Sequence, residues 1–256
     1  MPTHFGITRT GSSHPINEDR FGIIPFSDGV YLYAVCDGVG GAAAGEQASA
    51  LALSSFSDAL KTSLGGLDSD RLSALPLAQI KHAMRTAAAQ ASKTVFLRAE
   101  QDPRLKGMAS TLVAALVTAS RAYVLHVGDS RLYAISAQGV EKMTRDHSYI
   151  QYLIDVGRIS PDQAKHLKID NYITQAIGAY SHVDGDFCAM ELSSYPDPTY
   201  LLLCSDGLYS AVREATARHI LLGHDSLEDK AEALIRAALH GGSRDDMTAV
   251  LIALNG

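Results

Sequence analysis

Three times in this chain an apolar run ends in aspartate: Tyr33-Ala34-Val35-Cys36 before Asp37-Gly38, Leu125-His126-Val127-Gly128 before Asp129-Ser130, and Leu202-Leu203-Cys204-Ser205 before Asp206-Gly207. Two acidic pairs precede apolar runs, Glu18-Asp19 before RFGIIPF and Asp245-Asp246 before MTAVLIAL. A single Asp-Gly is an ordinary turn dipeptide. Several carboxylates at strand ends of one sheet converge on one edge, where their mutual repulsion raises the energy unless a cation neutralises it. Mg²⁺ and Mn²⁺ suit that task, being hard ions that take carboxylate, carbonyl and water oxygens. Glycine after Asp37 and Asp206 lets the backbone approach closely enough for a carbonyl to serve as a ligand. Two such ions a few ångströms apart activate a shared water and clamp a phosphoryl oxygen, so no side-chain nucleophile is needed.

Rival phosphoester chemistries leave no trace. A cysteine phosphatase needs arginine six positions after its cysteine, and those positions hold Ala42, Ser194 and Ser210. There is no G-x-x-x-x-G-K-[ST] loop, no G-x-S-x-G elbow, and no HExxH or paired CxxC to suggest zinc. The residues by themselves point to an oxygen-ligated divalent metal site on carboxylates that include Asp37, Asp206 and Asp245, an arrangement able to hydrolyse phosphate esters.

The elements that must position these residues are mostly strands. Residues 30–36 (VYLYAVC), 111–118, 122–127, 132–136, 199–205 and 248–253 are short, apolar and rich in β-branched or aromatic side chains, with Gly, Asp or Ser at their edges. Helices are expected at 45–60, 77–100 and 226–239, the last opening at Ser226 with Asp229 three residues on. Strands in the middle and helices towards both ends argue for an α+β fold with mostly antiparallel pairing. Residues 145–180 are more polar, carry two short helices broken at Gly157 and Pro161, and read as a surface excursion forming a flap over a site. Residues 65–73 read as a polar loop. No repeat, low-complexity tract or linker divides residues 1–256, so a single domain is expected.

Composition narrows the class. With 256 residues, 46% hydrophobic and 20% charged, the chain reads as globular rather than disordered. A net charge of -6 without a basic stripe argues against nucleic-acid binding. No signal-type segment and no membrane-length apolar run are present, so a cytoplasmic location away from membranes is expected. Three cysteines, Cys36, Cys188 and Cys204, make no disulfide framework, and Cys36 and Cys204 read as small core residues in a reducing compartment.

Taken in order, Asn17-Glu18-Asp19, Asp37-Gly38-Val39-Gly40-Gly41, Gly107-Met108-Ala109-Ser110-Thr111-Leu112, Val127-Gly128-Asp129-Ser130-Arg131, Ser205-Asp206-Gly207-Leu208 and Asp245-Asp246-Met247-Thr248 resemble the metal-dependent serine/threonine protein phosphatases of the PPM type, also called type 2C. The resemblance covers nearly the whole chain and is to the bacterial branch. It implies a four-layer α/β/β/α sandwich of two central antiparallel sheets with a flap subdomain. It implies that Asp37 bridges two Mg²⁺ or Mn²⁺ ions, that Gly38 offers its carbonyl to one, and that Asp206 and Asp245 complete the other site. Glu18 and Asp19 would act mainly through waters, and Asp129 with Asp206 would hold a third, weaker ion. The reaction implied is direct attack on a phosphoserine or phosphothreonine ester by a water bridging the two ions. The partners implied are a phosphorylated protein and, in opposition, a serine/threonine kinase; a monomer is the default.

Three positions depart from the family's pattern. His14 stands where an arginine usually grips the substrate phosphate, and imidazole lacks arginine's planar fork. Either His14 touches phosphate, or it is a solvated loop residue and Arg9 or Arg20 reaches in. Val39 stands where some eukaryotic members place a histidine general acid, leaving water or His147 to protonate the leaving group. Asp246 replaces the usual asparagine and is expected to point outward. Arg131 reads as half of a structural ion pair, and Ser110-Thr111 as core framework. Two further functions stay open: a weakly active or inactive binding and sensing module, and a hydrolase of small phosphate esters.

Overall fold

A computed structural model of the chain describes residues 3–13, 15–40, 43–164 and 172–254. In chain order the first half runs β1 (Thr3–Arg9), β2 (Asp19–Ser27), β3 (Val30–Val39), α1 (Ala43–Leu64), α2 (Ser69–Ala74), α3 (Leu77–Gln101), β4 (Ala109–Ser110), β5 (Leu112–Val117) and β6 (Arg121–Val127). The second half runs β7 (Arg131–Ser136), β8 (Gly139–Lys142), α4 (Tyr149–Asp155), α5 (Pro161–Ala164), β9 (Asp186–Glu191), β10 (Thr199–Cys204), α6 (Asp206–Tyr209), α7 (Glu214–Leu221), α8 (Leu227–His240) and β11 (Met247–Ala253).

The strands form two antiparallel sheets, one in the order β1-β11-β10-β7-β8 and the other β2-β3-β5-β6-β9 with β4 on β3. Alternation along each strand sorts its residues between two layers. On β3, Leu32, Ala34 and Cys36 face α1 and α3, where Phe56, Leu60, Ile80 and Met84 are fully buried. Tyr33 and Val35 face the other way, into a layer between the sheets shared with Leu201, Leu203, Val250 and Ile252. The opposite faces of β10 and β11 pack Leu202, Cys204, Ala249 and Leu251 against Leu221, Leu234 and Ile235 of α7 and α8. The result is an α/β/β/α sandwich whose central strands are buried on both faces, which is why they read as continuous apolar runs.

All six expected strands are present to within a few residues at their ends, and the three expected helices become α1, α3 and α8. Ser226 caps α8, its hydroxyl accepting from the Asp229 N–H at 3.1 Å. Residues 65–73 are not a plain loop. Asp68 caps α2 by accepting from the Arg71 N–H at 2.9 Å, and Leu72 anchors that short helix in the core. In the 145–180 stretch the chain breaks at Gly157, which takes φ +68, but Pro161 opens α5 rather than ending a helix. Residues 165–171 of that stretch lie outside the described residues. Among the described residues, no helix is long and apolar enough to cross a membrane.

Candidate metal centre

Register brings the acidic strand ends together. Antiparallel pairing of β2 with β3 sets Asp19 opposite Asp37. In the other sheet Cys204 pairs with both Ala249 and Arg131, so Asp206 just beyond β10, Asp245 just before β11 and Asp129 just before β7 emerge at one edge. Glu18, Asp37, Gly38, Asp206 and Asp245 line a cleft of about 270 Å³, with Val39 and Ile173 also on its wall. The carboxylates of Asp37 and Asp206 stand within hydrogen-bonding reach of each other.

Crowding shows in the electrostatics. Burial, then Asp19, Asp206, Asp129 and Asp245, push the Asp37 carboxyl well above the usual range. Burial and Asp245 raise Asp206 to about 6. Asp129 rises to about 7 through burial and Asp206. Asp19 also rises to about 7 through burial, against the opposing pull of two hydroxyl bonds. Such a cluster holds its charge only with cations present.

Around the cleft, neutral donors fix the carboxylates. Asp19 lies beneath it, almost fully buried, with Oδ2 accepting from Ser205 Oγ and Thr248 Oγ1, each at 2.6 Å, and Oδ1 without a hydrogen-bond partner. Thr111 receives the Asp37 N–H on Oγ1 at 2.9 Å and gives its own N–H to the Asp37 carbonyl at 2.8 Å. Tyr209 donates to Asp129 Oδ2 at 3.3 Å, and Arg131 lies 3.5 Å over the Tyr209 ring. Two glycines let α1 approach: a Cβ on Gly38 would stand 2.0 Å from the Gly45 carbonyl oxygen, and a Cβ on Gly45 2.6 Å from the Glu18 carboxyl carbon.

The donors present fit hard divalent ions. They are all oxygens, one buried carboxylate oxygen has no partner, and two carboxylates are in contact. The pairs Asp37–Asp206 and Asp206–Asp245 suit ions that keep several waters and need one or two carboxylates each.

Several expectations meet a definite outcome. Asp246 points inward, 3% exposed, its Oδ1 and Oδ2 accepting the Gly11 and Glu18 N–H groups at 2.8 and 2.6 Å. An inward carboxylate accepts two backbone donors at once, and that satisfies the loop ahead of β2. Arg20 is engaged with Glu46 and the carbonyls of Asn17 and Asp19, so it does not reach the cleft as a free cation. Arg9 is exposed at the end of β1. His147 is buried against Gly128 and Asp186 rather than in the cleft. Arg131 makes a two-pronged ion pair with Asp146 at 3.0 and 2.6 Å, and Thr111 joins Ser130 at 2.6 Å within the framework. His14 lies outside the described residues. Ser205, Thr248 and the inward Asp246 carry parts that spacing did not reveal, although each adjoins an acidic strand end.

Comparison with known proteins agrees with this architecture. Residues 10–251 match the family model described as protein phosphatase 2C. A serine/threonine phosphatase named stp from Listeria welshimeri is 33% identical over 239 residues, spanning 93% of this chain and 90% of the relative. The solved structure of serine/threonine phosphatase Stp1 from Staphylococcus aureus superposes with TM-score 0.85 at 31% identity, covering 100% of this chain and 96% of that one. The Mycobacterium tuberculosis serine/threonine phosphatase PstP/Ppp gives TM-score 0.82 at 29% identity, covering 100% and 99%. With its two-sheet sandwich, its acidic edge and a family match along almost its whole length, the chain belongs to the protein phosphatase 2C family.

Proposed function

We propose that this chain is a Mg²⁺- or Mn²⁺-dependent phosphoprotein phosphatase that hydrolyses phosphoserine and phosphothreonine esters. The observation that carries the reading is the cleft at the sheet edge, where Glu18, Asp37, Asp206 and Asp245 meet with Asp37 and Asp206 in contact. The names of its relatives, serine/threonine phosphatases, support the substrate class.

In this reading Asp37, the Gly38 carbonyl, Asp206 and Asp245 would hold two ions, Glu18 and Asp19 would support them from further out, and Asp129 with Asp206 would hold a third. Bound ions of this kind supply a nucleophilic water near neutral pH and neutralise charge on the phosphoryl group. The chain's own residues do the positioning. Ser205 and Thr248 hold Asp19 in place beneath the cleft, Thr111 locks the Asp37 backbone on both sides, and Asp246 fixes the segment that presents Glu18. Val39, 44% exposed, and Ile173 offer apolar surface to residues flanking the phosphorylated side chain. The 145–180 stretch, which supplies Ile173, acts as a flap on a single domain. The leaving alkoxide takes its proton from solvent, since His147 is occupied elsewhere. A serine/threonine kinase is the source of the substrates.

The test is phosphate release from a phosphothreonine peptide and from para-nitrophenyl phosphate, with Mn²⁺ and with chelator. Mn²⁺-dependent turnover of the peptide, lost with Asp37→Asn, is expected. Turnover of the small ester alone would move the substrate class to small phosphate esters. Tight Mn²⁺ binding with no turnover would favour a binding or sensing module, the reading that His14 in place of arginine supports. His14 is assigned here to the substrate phosphate. His14→Arg is then expected to lower KM and His14→Ala to raise it, and a KM unchanged in both would remove it from the site.

A further inference from the structure

Away from the acidic cleft, His126, His147 and Asp186 each bring one ligand atom to within 4.8 Å of the others, the one such group of three among the described residues. Three different parts of the chain supply them. His126, next to last in β6, pairs in register with Asp186 on the edge strand β9, so the two share a face. His147 precedes α4, and its own N–H donates to the Gly128 carbonyl at 2.7 Å. The imidazole rings lie 4.5 Å apart.

The state of the rings is informative. His126 is 2% exposed and uses Nε2 to donate to the Gly128 carbonyl at 2.8 Å, which leaves Nδ1 as a bare lone pair with no hydrogen-bond partner. A histidine that gives one ring N–H to a backbone carbonyl and keeps the other nitrogen unprotonated is in the form metal ligands take. Burial and His147 hold the His126 ring well below its ordinary range, to about 4, so it stays neutral at physiological pH. His147 Nε2 lies 3.2 Å from Asp186 Oδ2, close to the edge length of a tetrahedron with bonds of about 2.0–2.1 Å. The Asp186 side chain is 61% exposed and opens the group to solvent through a cleft of about 250 Å³. Two arginines line that cleft, but Arg145 pairs with Asp155 and Arg85 donates to the Gly185 carbonyl at 3.0 Å.

We infer that His126, His147 and Asp186 form a second metal site, selective for an imidazole-seeking ion of the Zn²⁺ class and separate from the carboxylate cleft. Two imidazoles and one carboxylate are a zinc-type donor set that Mg²⁺ does not favour. Binding has one identifiable cost. With the ion on Nε2, the His147 ring proton moves to Nδ1, and the 3.1 Å bond that Nδ1 accepts from the Gly128 N–H is given up. An ion here would tie β6, β9 and the start of the 145–180 stretch into one unit next to Gly128-Asp129.

The test is Zn²⁺ titration of the whole protein in millimolar Mg²⁺, followed by calorimetry, with Co²⁺ absorption as the reporter of geometry. One Zn²⁺ is expected to bind, with a four-coordinate Co²⁺ spectrum. Asp186→Asn, at an exposed position that leaves the core intact, should weaken it about 10-fold or more. His147→Gln should abolish it, and Asp37→Asn should leave it in place. The inference is overturned if no Zn²⁺ binds beside Mg²⁺, if Asp186→Asn binds it as wild type does, or if Asp37→Asn removes it, which would put the ion in the acidic cleft.

Discussion

Asp246 holds the loop ahead of β2 in place from a buried position, its two oxygens taking the Gly11 and Glu18 N–H groups. An asparagine there has one acceptor oxygen, so Asp246→Asn leaves one backbone donor facing an amide N–H₂. The expected cost is about 1–3 kcal/mol of stability, read from denaturant midpoints, with a parallel loss of Mn²⁺ affinity as Glu18 loosens. Unchanged stability would show that the second bond contributes nothing. The aspartates themselves were legible because each follows or precedes an apolar run. Their supporting hydroxyls, Ser205 and Thr248, were not, because only the pairing of β10 with β11 aims both at Asp19.

Elements place the site through close approach. The start of α1 is pressed against the Glu18 carboxylate, with Gly45 as the point of contact. Alanine is the better helix former by about 1 kcal/mol, so Gly45→Ala would favour α1 intrinsically. Its methyl would also occupy the space of the Glu18 carboxyl. The two consequences separate: the variant is expected to fold while its Mn²⁺ affinity falls, which thermal melting and calorimetry check together. Equal loss of both would mean that the contact serves packing alone. The central strands and long helices were readable from apolar runs and from the cap at Ser226. The strands not readable this way, β1, β2, β8 and β9, are the four edges of the two sheets, with the two-residue β4 beside them, and the helices not readable, α2, α6 and α7, run no longer than eight residues, so a sustained apolar pattern has little length to develop.

At the scale of the molecule, two sheets stacked with their ends aligned concentrate negative charge at one edge, and that has a cost without cations. Asp19 and Asp129 at about 7, Asp206 at about 6 and Asp37 well above its ordinary range keep protons in the native state that the unfolded chain releases near pH 4. Between about pH 4 and 7 the native state therefore binds more protons than the unfolded one, and metal-free stability falls as pH rises through that window. Melting temperatures in chelator should drop from pH 5 to pH 7, Mn²⁺ should restore more at pH 7 than at pH 5, and Asp37→Asn should flatten the slope. An equal slope in that variant would place the pH dependence elsewhere. The most direct test of the whole account is anomalous diffraction from crystals grown with Mn²⁺. Two Mn²⁺ peaks are expected in the cleft among Asp37, Asp206 and Asp245, with Asp37 touching both. Density for Mn²⁺ elsewhere on the chain and none in that cleft would contradict it.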